Sequence, residues 1–447
     1  MIRRRTGMDY IYIKTTLTDK IKNKTATVGV IGLGYVGLPL AVEMARAGYN
    51  VIGLDIQEEK VRMVNEGICY LGDIDPADLE NSLKSGRLKA TGDSGLISEA
   101  DCVIICVPTP LDEHFQPDIS YIVNASTEIA KHLHEGMLVI LESTTYPGTT
   151  EEVVKPILES TGLECGKEFF LAFSPERVDP GNKQYKTKNT PKVVGGITPD
   201  CTELAAALYG NVLEGGIFRV SSPKVAEMEK ILENTFRNVN IALVNEMAII
   251  CDRMGIDIWE VIEAAKTKPY GFMPFYPGPG AGGHCIGVDP FYLTWKAREY
   301  GYHTKLIETA GEINNYMPEF VLERTMKILN RFGKPLYGSE ILVLGAAYKQ
   351  DIDDIRESPA LKVMDLLVKY GARLKYNDPY VPEITCRGRS YKSVPLTAEA
   401  LETADLVIIT TMHSCYDYEF IEKHSRFIFD TKNAMKNIKN RDKIETL

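Results

Sequence analysis

A glycine-rich turn between an apolar strand and a helix constrains the fold of this chain most strongly. Residues 28–31 are Val-Gly-Val-Ile, and Gly-Leu-Gly-Tyr-Val-Gly follows at 32–37, before a helical run that stops at Gly48. The next apolar strand, 50–54, leads into Asp55. This order supplies a tight turn, close approach of a pyrophosphate, close packing of the helix and an acid for the ribose hydroxyls. It predicts a βαβ unit that binds a dinucleotide.

The residues after Asp55 favour NAD over NADP. Ile56 and Gln57 follow it, so no arginine stands directly after the acid, and a 2′-phosphate would meet an uncompensated carboxylate. Lys60, one turn into the next helix, is either a solvated helix residue or a contact to the adenosine side. The predicted cofactor is NAD, and the residues assigned to it here are Gly32, Gly34, Tyr35, Val36, Gly37, Asp55 and Lys60.

A second glycine-dense stretch, residues 278–290, contains one cysteine, Cys285. Asp289 followed by Pro290 is typical of an N-cap and a first helical position, and the helix is predicted to run to Tyr300. Cys285 therefore lies near the positive end of a helix dipole, where the thiolate is favoured and the thiol becomes a usable nucleophile. The alternatives are a small buried hydrophobe for Cys285 and a plain N-cap for Asp289.

Composition excludes several classes of protein. The chain has 447 residues, 44% of them hydrophobic and 25% charged, with a net charge of -10, which argues against nucleic-acid binding and against a polybasic membrane protein. No apolar run approaches the length of a membrane span. Nine cysteines without paired spacing suggest reduced thiols in a cytoplasm. The histidines show no ligand spacing, so we expect no metal.

The chain alternates strand and helix at both ends. We expect an α/β protein with two Rossmann-like doubly wound domains that flank a central helical domain with one long bridging helix. The predicted boundaries are a loosely held extension at 1–25, an NAD-binding domain at 26–218, a helical domain at 219–332 and a C-terminal nucleotide-binding domain at 333–447. The bridging helix should run from Pro223 to Met254 and supply a dimer interface, so a homodimer is expected.

Predicted strands in the first domain are 27–31, 50–54, 102–107, 138–141, 169–172 and 192–194. In the last domain, strands are predicted at 341–344 and 373–376, with a helix at 359–370. Residues 404–409 echo 100–105, but the last domain has only Gly345 where the first has three glycines. The two domains are therefore expected to bind different nucleotides.

Three polar residues, Lys230, Asn234 and Arg237, recur at i, i+4 and i+7 along the predicted long helix. This spacing places them on one stripe of the cylinder. A solvated face explains such a stripe, but the asparagine and the position between domains favour a site.

Seven motifs in order then resemble the UDP-glucose/GDP-mannose dehydrogenase family over residues 26 to 435. The motifs are Gly32-x-Gly34-x-x-Gly37, Pro108-Thr109-Pro110, Glu142-Ser143-Thr144, Ser174-Pro175-Glu176-Arg177, Glu229-Lys230-x-x-x-Asn234, Gly282-Gly283-His284-Cys285-x-x-x-Asp289 and Lys349-x-x-x-Asp353-Asp354-x-Arg356-Glu357-Ser358-Pro359. The Gly-Gly-His-Cys-Ile-x-x-Asp-Pro stretch at 282–290 and the Ser-Pro-Glu-Arg motif at 174–177 are more similar to the UDP-N-acetylhexosamine branch than to the UDP-glucose 6-dehydrogenases. Residues 275–280 resemble the UDP-N-acetylglucosamine 6-dehydrogenases further.

The resemblance implies oxidation of a sugar C6 alcohol to a carboxylate in two hydride transfers to NAD⁺. Lys230 and Asn234 would stabilise the alkoxide, and its proton would pass to water or to a carboxylate. Cys285 would form a thiohemiacetal and then a thioester. Glu176 would activate or place the hydrolytic water, with support from Asp289 and Thr144.

Further roles follow from the same resemblance. Thr109 is expected at the cofactor because it lies at the carboxyl end of the strand at 102–107, where dinucleotides bind. Ser143 and Thr144 either contact the cofactor or close a strand ladder. Arg356 contacts the cofactor and Lys349 the substrate in the family pattern, and surface charges are the alternative for both. The expected substrate contacts are Glu176, Arg177, Val178, Lys230, Asn234, Arg237, Tyr276, Gly282 and Lys349. The UDP-glucose enzymes usually carry a second glutamate four residues after the first, and this chain has Pro180 there. A two-carboxylate hydrolytic site is therefore in doubt, and Arg177 is expected to contact the sugar or its acyl group.

Three alternative functions remain open. The manno and galacto epimers of the sugar differ by the direction of one group, which sequence cannot place. A non-catalytic NAD- and UDP-binding sensor would not need Cys285, Lys230 and Asn234 together. A β-hydroxyacid dehydrogenase shares the first domain and the long helix, but needs neither Cys285 nor the C-terminal domain.

Overall fold

The computed structural model describes residues 7–72, 74–112, 116–177, 179, 182, 184–283 and 285–447. The chain divides by its internal contacts into two compact units. Unit 1 is Met1–Glu233 with Phe291–Tyr300, and unit 2 is Asn234–Pro290 with Gly301–Leu447. The three-domain boundaries stay a prediction.

The described part of unit 1 forms an eight-stranded sheet. Its strands are β1 Thr27–Ile31, β2 Asn50–Leu54, β3 Leu88–Thr91, β4 Cys102–Ile105, β5 Leu138–Leu141, β6 Phe170–Phe173, β7 Lys192–Gly196 and β8 Ile217–Val220. The spatial order is β3-β2-β1-β4-β5-β6-β7-β8, so the strand order reverses between β1 and β4. In a doubly wound sheet, ligands bind at this reversal, outside the carboxyl ends of the strands. The predicted α/β class is confirmed, although β3 and β8 had not been predicted.

One strand departs from the expected parallel arrangement. β7 pairs antiparallel with β6, with Ala172 opposite Gly196. The connection between them spans residues 174–191, and its described residues contain no helix, which a parallel crossover normally needs. A connection of this length without regular structure is unusual in a compact domain, and long loops of this kind usually carry function. This loop holds the Ser-Pro-Glu-Arg motif.

Both faces of the sheet are covered by hydrophobic cores, because successive side chains of a strand point to opposite faces. Leu138 and Ile140 of β5 lie in one core, whereas Val139 and Leu141 lie in the other. The helices of unit 1 that pack around the sheet are α1 Gly7–Lys22, α2 Gly37–Ala47, α3 Glu58–Asn65, α4 Pro76–Lys84, α5 Ser120–His132, α6 Lys155–Glu159 and α7 Pro199–Gly210.

The expectation of a loosely held N-terminal extension is wrong for residues 7–22. This segment is helix α1, and its Leu17 and Ile21 are buried in the core of unit 1. The Ile21 carbonyl accepts hydrogen bonds from Tyr49 Oη at 2.8 Å and from Asn211 Nδ2 at 2.9 Å. The charged start at Arg3 to Arg5 lies outside the described residues.

A 32-residue helix, α8 Pro223–Met254, crosses from unit 1 into unit 2, as predicted. Three further helices follow: α9 Ile258–Lys266, α10 Asp289–Glu299 and α11 Lys305–Arg331. Helix α10 begins at Asp289, one residue before the predicted first helical position Pro290, which is within the usual uncertainty of helix ends.

The described part of unit 2 contains a five-stranded parallel sheet in the order β10-β9-β13-β14-β15. A small antiparallel pair, β11 and β12, lies outside it. The elements are β9 Glu340–Leu344, α12 Pro359–Lys369, β10 Arg373–Asn377, β11 Glu383–Cys386, β12 Arg389–Lys392, α13 Ala398–Thr403, β13 Leu406–Ile409, α14 Tyr418–His424, β14 Ile428–Asp430 and β15 Ile444–Thr446. This is the second common doubly wound order, with its reversal between β9 and β13.

Candidate active site

The glycine-rich turn after β1 has the geometry that a pyrophosphate requires. Gly32 has φ +95°, and a Cβ built on it would lie 2.6 Å from the Cys106 carbonyl oxygen. A Cβ on Gly37 would lie 1.9 Å from the Gly32 carbonyl oxygen, so no other residue fits there without moving the turn. A Cβ on Gly34 would meet no atom within 4 Å, so this position faces the open space that a ligand can approach.

Asp55 lies beside this turn, at the carboxyl end of β2. Its Oδ2 accepts a hydrogen bond from the Leu33 backbone N–H at 2.9 Å, and its Oδ1 accepts one from Gln57 N–H. Lys60 Nζ is 3.8 Å from Oδ2. Tyr35 is exposed. Val36 is the N-cap of α2, and its side chain makes no capping hydrogen bond to the helix. The turn, the helix start and the acid together fit a dinucleotide.

The loops after β4 and β5 are bonded to one another at the same edge. Ser143 Oγ donates to the Val107 carbonyl at 2.7 Å. Tyr292 Oη donates to the Thr109 carbonyl at 2.8 Å. Thr109 and Ser143 are buried and Thr144 is half-buried, so backbone and side chains at this edge are held in place where the dinucleotide site is expected.

The loop after β6 is bonded to the first turns of α8. Lys230 Nζ donates to the Glu176 carbonyl. Arg177 forms an ion pair with Glu233, lies 3.4 Å from a Glu229 oxygen and donates to the Pro191 carbonyl at 3.0 Å. Burial, together with a hydrogen bond to Glu233, raises the pKa of Glu229 to about 7. Val178 and Pro180 lie outside the described residues.

In unit 2, helix α8 also holds the cysteine loop. Asn234 Nδ2 donates to Asp289 Oδ2, and both residues are buried. The Asp289 N–H donates to the Cys285 carbonyl at 2.9 Å, and Asn238 Nδ2 donates to the Ile286 carbonyl at 2.9 Å. Asn234, Cys285 and Asp289 are thus brought together. His284 lies outside the described residues.

The glycines of this loop pack against the segment that carries Lys349. A Cβ on Gly282 would lie 2.8 Å from Tyr348 Cβ, and one on Gly283 would lie 2.9 Å from the Tyr348 ring. Arg356 is paired with Asp354, with Nη2–Oδ2 at 2.6 Å. Arg237 is exposed and does not join Asn234 and Asp289 in the buried cluster.

A cleft of about 790 Å³ opens beside the carboxyl ends of β13 and β14 in unit 2. Its cationic lining residues are Lys266, Lys432, Lys436 and Arg441, and its acidic ones are Asp257, Glu260 and Glu263. Tyr276 stacks on Trp259 at its wall, with ring centroids 6.1 Å apart. Burial lowers the pKa of Lys432 to about 8. The size suits a small-molecule ligand, and the cations suit an anionic one.

Comparison with known proteins accounts for the whole arrangement. Residues 26–213 match the UDP-glucose/GDP-mannose dehydrogenase family, NAD binding domain. Residues 224–316 match the central domain of that family, and residues 342–437 its UDP binding domain. The chain belongs to the UDP-glucose/GDP-mannose dehydrogenase family. It is therefore an NAD-dependent oxidoreductase of nucleotide sugars, and the expected cofactor and fold are confirmed.

Relatives within this family carry different substrate names. The chain is 39% identical over 392 residues to a UDP-N-acetyl-D-glucosamine 6-dehydrogenase of Pseudomonas aeruginosa, covering 88% of this chain and 91% of that one. It is 36% identical to an NDP-N-acetyl-D-galactosaminuronic acid dehydrogenase of Ralstonia nicotianae, covering 91% and 95%. The solved structure of a UDP-D-ManNAc dehydrogenase from Pyrococcus horikoshii matches with a TM-score of 0.85 at 36% identity, covering 94% and 98%.

Sequence reasoning missed two lysines at the edges of this dehydrogenase's sheets, the buried Lys192 and the half-buried Lys432. Lys192 starts β7 and pairs with Glu142 at 2.5 Å, and Lys432 follows β14. Lys192 directly precedes the apolar pair Val193-Val194, and Lys432 lies three residues after Phe429. A charged residue next to a fully buried strand is the signal that could have found them.

Neither a membrane-spanning helix nor a metal-binding cluster occurs among the described residues. No helix among them is long and apolar enough to cross a membrane. No group of three or more His, Cys, Asp or Glu side chains among them could hold a metal ion.

Proposed function

We propose that this dehydrogenase oxidises the C6 hydroxyl of a UDP-N-acetylhexosamine to the uronic acid, with UDP-N-acetylglucosamine as the preferred substrate. The observation that supports it best is the buried Asn234–Asp289 pair that closes the turn carrying Cys285. A nucleophilic thiol distinguishes a four-electron oxidation from a simple alcohol dehydrogenation, because only an aldehyde intermediate needs it.

In the first oxidation, the chain's residues manage the charge on oxygen. NAD⁺, when bound, accepts the hydride in each of the two oxidations. Lys230 and Asn234 are both buried and supply N–H donors that stabilise the alkoxide at C6. The alcohol proton passes to water or to a carboxylate.

Cys285 then takes part through its sulfur. The thiolate attacks the C6 aldehyde, a C–S bond forms, and the former carbonyl oxygen takes up a proton to give a thiohemiacetal. Loss of a second hydride and of that proton leaves a thioester. The covalent bond keeps the half-oxidised sugar in place while the reduced coenzyme is exchanged.

Hydrolysis completes the reaction. Glu176 accepts a proton from water as the water attacks the thioester carbonyl, and the C–S bond breaks to return the Cys285 thiol and a carboxylate. Asp289 and Thr144 support this step. The net reaction consumes one water and yields two NADH per sugar.

The cleft of unit 2 is the proposed place for the nucleotide of the substrate. Lys432, Lys436 and Arg441 suit a diphosphate, and the Trp259–Tyr276 stack offers an aromatic wall to a base. Lys349, Arg177, Val178, Arg237 and Gly282 are the further proposed substrate contacts. Thr109, Ser143 and Arg356 are the further proposed cofactor contacts.

The epimers are the principal second candidates. The P. aeruginosa relative is named for the glucosamine sugar, while the P. horikoshii and R. nicotianae relatives are named for the manno and galacto sugars. A non-catalytic sensor is the remote alternative, which the presence of Cys285, Lys230 and Asn234 disfavours.

Counting NADH per sugar over a panel of UDP-hexoses and UDP-N-acetylhexosamines tests the proposal. We expect two NADH with UDP-N-acetylglucosamine and a higher kcat/KM than with its epimers. Cys285→Ser should lose uronate formation, whereas Cys415→Ser, at an exposed cysteine, should retain it. One NADH per sugar would indicate an alcohol dehydrogenase, none would indicate a sensor, and uronate formation by Cys285→Ser would contradict the thioester.

The proposed assembly is a homodimer through α8. In unit 2 this helix exposes Leu243, Met247, Ile250 and Met254 at i, i+4, i+7 and i+11, which is one apolar stripe. A twofold axis would pair this stripe with its own copy. Leu243→Glu should convert the sedimenting species from dimer to monomer, and a monomeric unmodified protein would contradict the proposal.

A further inference from the structure

Three buried polar side chains form a network beneath the loop that carries Glu176. Lys192 Nζ lies 2.5 Å from Glu142 Oε1, and Tyr209 Oη donates to Glu142 Oε2 at 2.5 Å. The Lys192 ammonium also lies over the Tyr209 ring, 4.9 Å from its centroid. All three side chains are at least nine-tenths buried.

The same ammonium reaches the backbone of the loop. Lys192 Nζ donates to the Pro175 carbonyl at 3.4 Å, and Lys230 Nζ donates to the Glu176 carbonyl. These two carbonyls flank the Cα of Glu176. One buried lysine from β7 and one from α8 thus hold the peptide groups on both sides of Glu176.

The side chains share a space as well. Glu176, Arg177, Pro175 and Lys192 line a small cleft of about 10 Å³. That volume is about what one water molecule requires. Lys192 and Glu176 therefore both line the same water-sized space.

Burial of this ion pair calls for a reason. Removing two charges from water costs several kcal/mol per ion, and apolar replacements of such pairs often leave proteins equally stable or more stable. Burial alone would lower the pKa of Lys192, but the nearby Glu142 and Glu176 carboxylates together outweigh it and raise that pKa, so the lysine is charged. A charge kept at such cost, at the carboxyl edge of the sheet, points to the loop it holds.

We infer that Lys192, held by Glu142, is a positioning residue that fixes Glu176 for hydrolysis of the thioester. This inference rests on the proposed function for the identity of the step. It adds that the pair acts on hydrolysis more than on hydride transfer, because its contacts are to the Pro175–Glu176 peptide. Lys230 has the other flanking carbonyl and a proposed role in the first oxidation.

The test compares four single variants and the Lys192→Met/Glu142→Gln double variant in a single turnover with UDP-N-acetylglucosamine and excess NAD⁺. Lys192→Met removes the charge at similar volume, Lys192→Arg keeps it, and Glu142→Gln removes the partner's charge. Lys188→Met is the matched control, because Lys188 is a half-buried lysine of the same loop that pairs with the exposed Glu214 instead of reaching Glu176. NADH formation, uronate release and the intact mass of the protein are followed together.

For Lys192→Met we expect hydrolysis to slow by about 100-fold, the effect of a misplaced catalytic group, with NADH formation within about threefold. A sugar adduct on Cys285 should then accumulate. Lys192→Arg should recover most of the rate, Glu142→Gln should reproduce the defect, and the double variant should be no worse than either single one. Lys188→Met should match the unmodified enzyme.

Equal loss of both steps in a folded Lys192→Met protein, or hydrolysis at the normal rate, would overturn the inference. If Lys192→Met does not fold, Glu142→Gln decides by the same two outcomes. A second readout needs no catalysis: hydrogen exchange of peptides covering 170–177. Exchange should be at least about tenfold faster in Lys192→Met or Glu142→Gln than in Lys188→Met. Unchanged exchange would overturn the inference. This readout does not depend on activity, so it remains decisive even if the NADH count contradicts the proposed function.

Discussion

In both sheets of this dehydrogenase the first strand of the βα order is followed by the same glycine turn, and the two sites then differ. Gly32 follows β1 with φ +95°, and Gly345 follows β9 with φ +93°. A Cβ on Gly345 would lie 2.4 Å from Thr411 Cβ, which is as close as the clash at Gly32. The first glycine is therefore required by the strand-to-helix turn itself, whatever the sheet binds.

The second and third glycines are found only in unit 1. The positions that correspond to Gly34 and Gly37 by count from the first glycine are Ala347 and Gln350. Ala347 is fully buried, and its N–H donates to Asp378 at 3.0 Å. Where unit 1 leaves room and backbone donors for a pyrophosphate, unit 2 uses them for its own packing.

The acid after the second strand shows the same difference. Among the described residues, Asp55 accepts two backbone N–H groups, which leaves part of the roughly four acceptor sites of a carboxylate for a ribose. Asp378 follows β10 and is 2% exposed. Its donors are Ala346 N, Ala347 N, Tyr380 N, Val381 N and His413 Nε2. Five donors fill the carboxylate, so it serves the fold.

A shared glycine turn therefore does not imply a shared ligand. At its strand reversal, unit 1 has glycines without side chains and an aspartate with acceptor sites left over, which suits a dinucleotide. In unit 2 the corresponding backbone and aspartate are used in packing and internal hydrogen bonds. A cleft lined by cations lies beside β13 and β14 instead. This agrees with the separate NAD binding and UDP binding domains of the family.

The largest expected effect comes from filling the third glycine. Gly37→Ala places a methyl group against the Gly32 carbonyl and should weaken NADH binding by at least about 100-fold, since neither turn atom can move without changing the cradle. Fluorescence titration with NADH measures it. Gln350→Ala, at the corresponding position of unit 2, is the control and should leave NADH affinity unchanged. Equal affinity in Gly37→Ala would show that the turn does not hold the cofactor.

An intermediate effect should separate the two acids. Asp378→Asn disturbs five hydrogen bonds and should lower the free energy of unfolding by about 2–3 kcal/mol, without changing the choice of coenzyme. Asp55→Asn should cost about 1 kcal/mol of unfolding free energy and raise the NADP⁺ to NAD⁺ ratio of kcat/KM by about tenfold. Urea unfolding and steady-state kinetics measure the pair. A coenzyme change in Asp378→Asn, or none in Asp55→Asn, would break the comparison.

The smallest expected effect is a pH dependence confined to unit 2. Burial lowers the pKa of Lys432 to about 8, so the ammonium is charged below that pH and loses its proton above it. UDP affinity, measured by calorimetry, should therefore fall roughly tenfold from pH 7.5 to pH 9. Lys432→Met should bind UDP weakly with no such fall, while its NADH affinity should equal that of the unmodified protein. A fall of the same size in Lys432→Met would exclude Lys432 as its cause.

Much of the fold could be predicted, because its signals are local. The turn at 32–37, the strand before Asp55 and helix α8 each follow from a run of neighbouring residues, and each is confirmed. The antiparallel β7 was not predicted, since pairing direction depends on a long connection whose ends meet only in the folded sheet. Helix α1 was missed because its apolar residues become informative only against the surface of α7 and the sheet.

The candidate site divides in the same way. Cys285, Asp289 and Asn234 stood out by residue type and spacing, and the bond from Asn234 to Asp289 brings them together. Lys192 and Lys432 gave weak signals, because a lysine at a strand end is usually solvated. Lys192 stands out only through its burial and its partners Glu142 and Tyr209, which are distant in sequence, and Lys432 only through the cleft that it lines.

The amino-acid order alone determined the glycine turns, the long helix, the acid after β2 and the glycine-dense loop that carries Cys285, since each depends on backbone freedom or on periodicity within a few residues. The tertiary structure decided which acid keeps acceptor capacity, that Lys192 is buried, and which lysines bond to the carbonyls on either side of the Glu176 Cα. Those properties depend on distances between residues far apart in the chain, and such distances exist only once the sheets and α8 have packed.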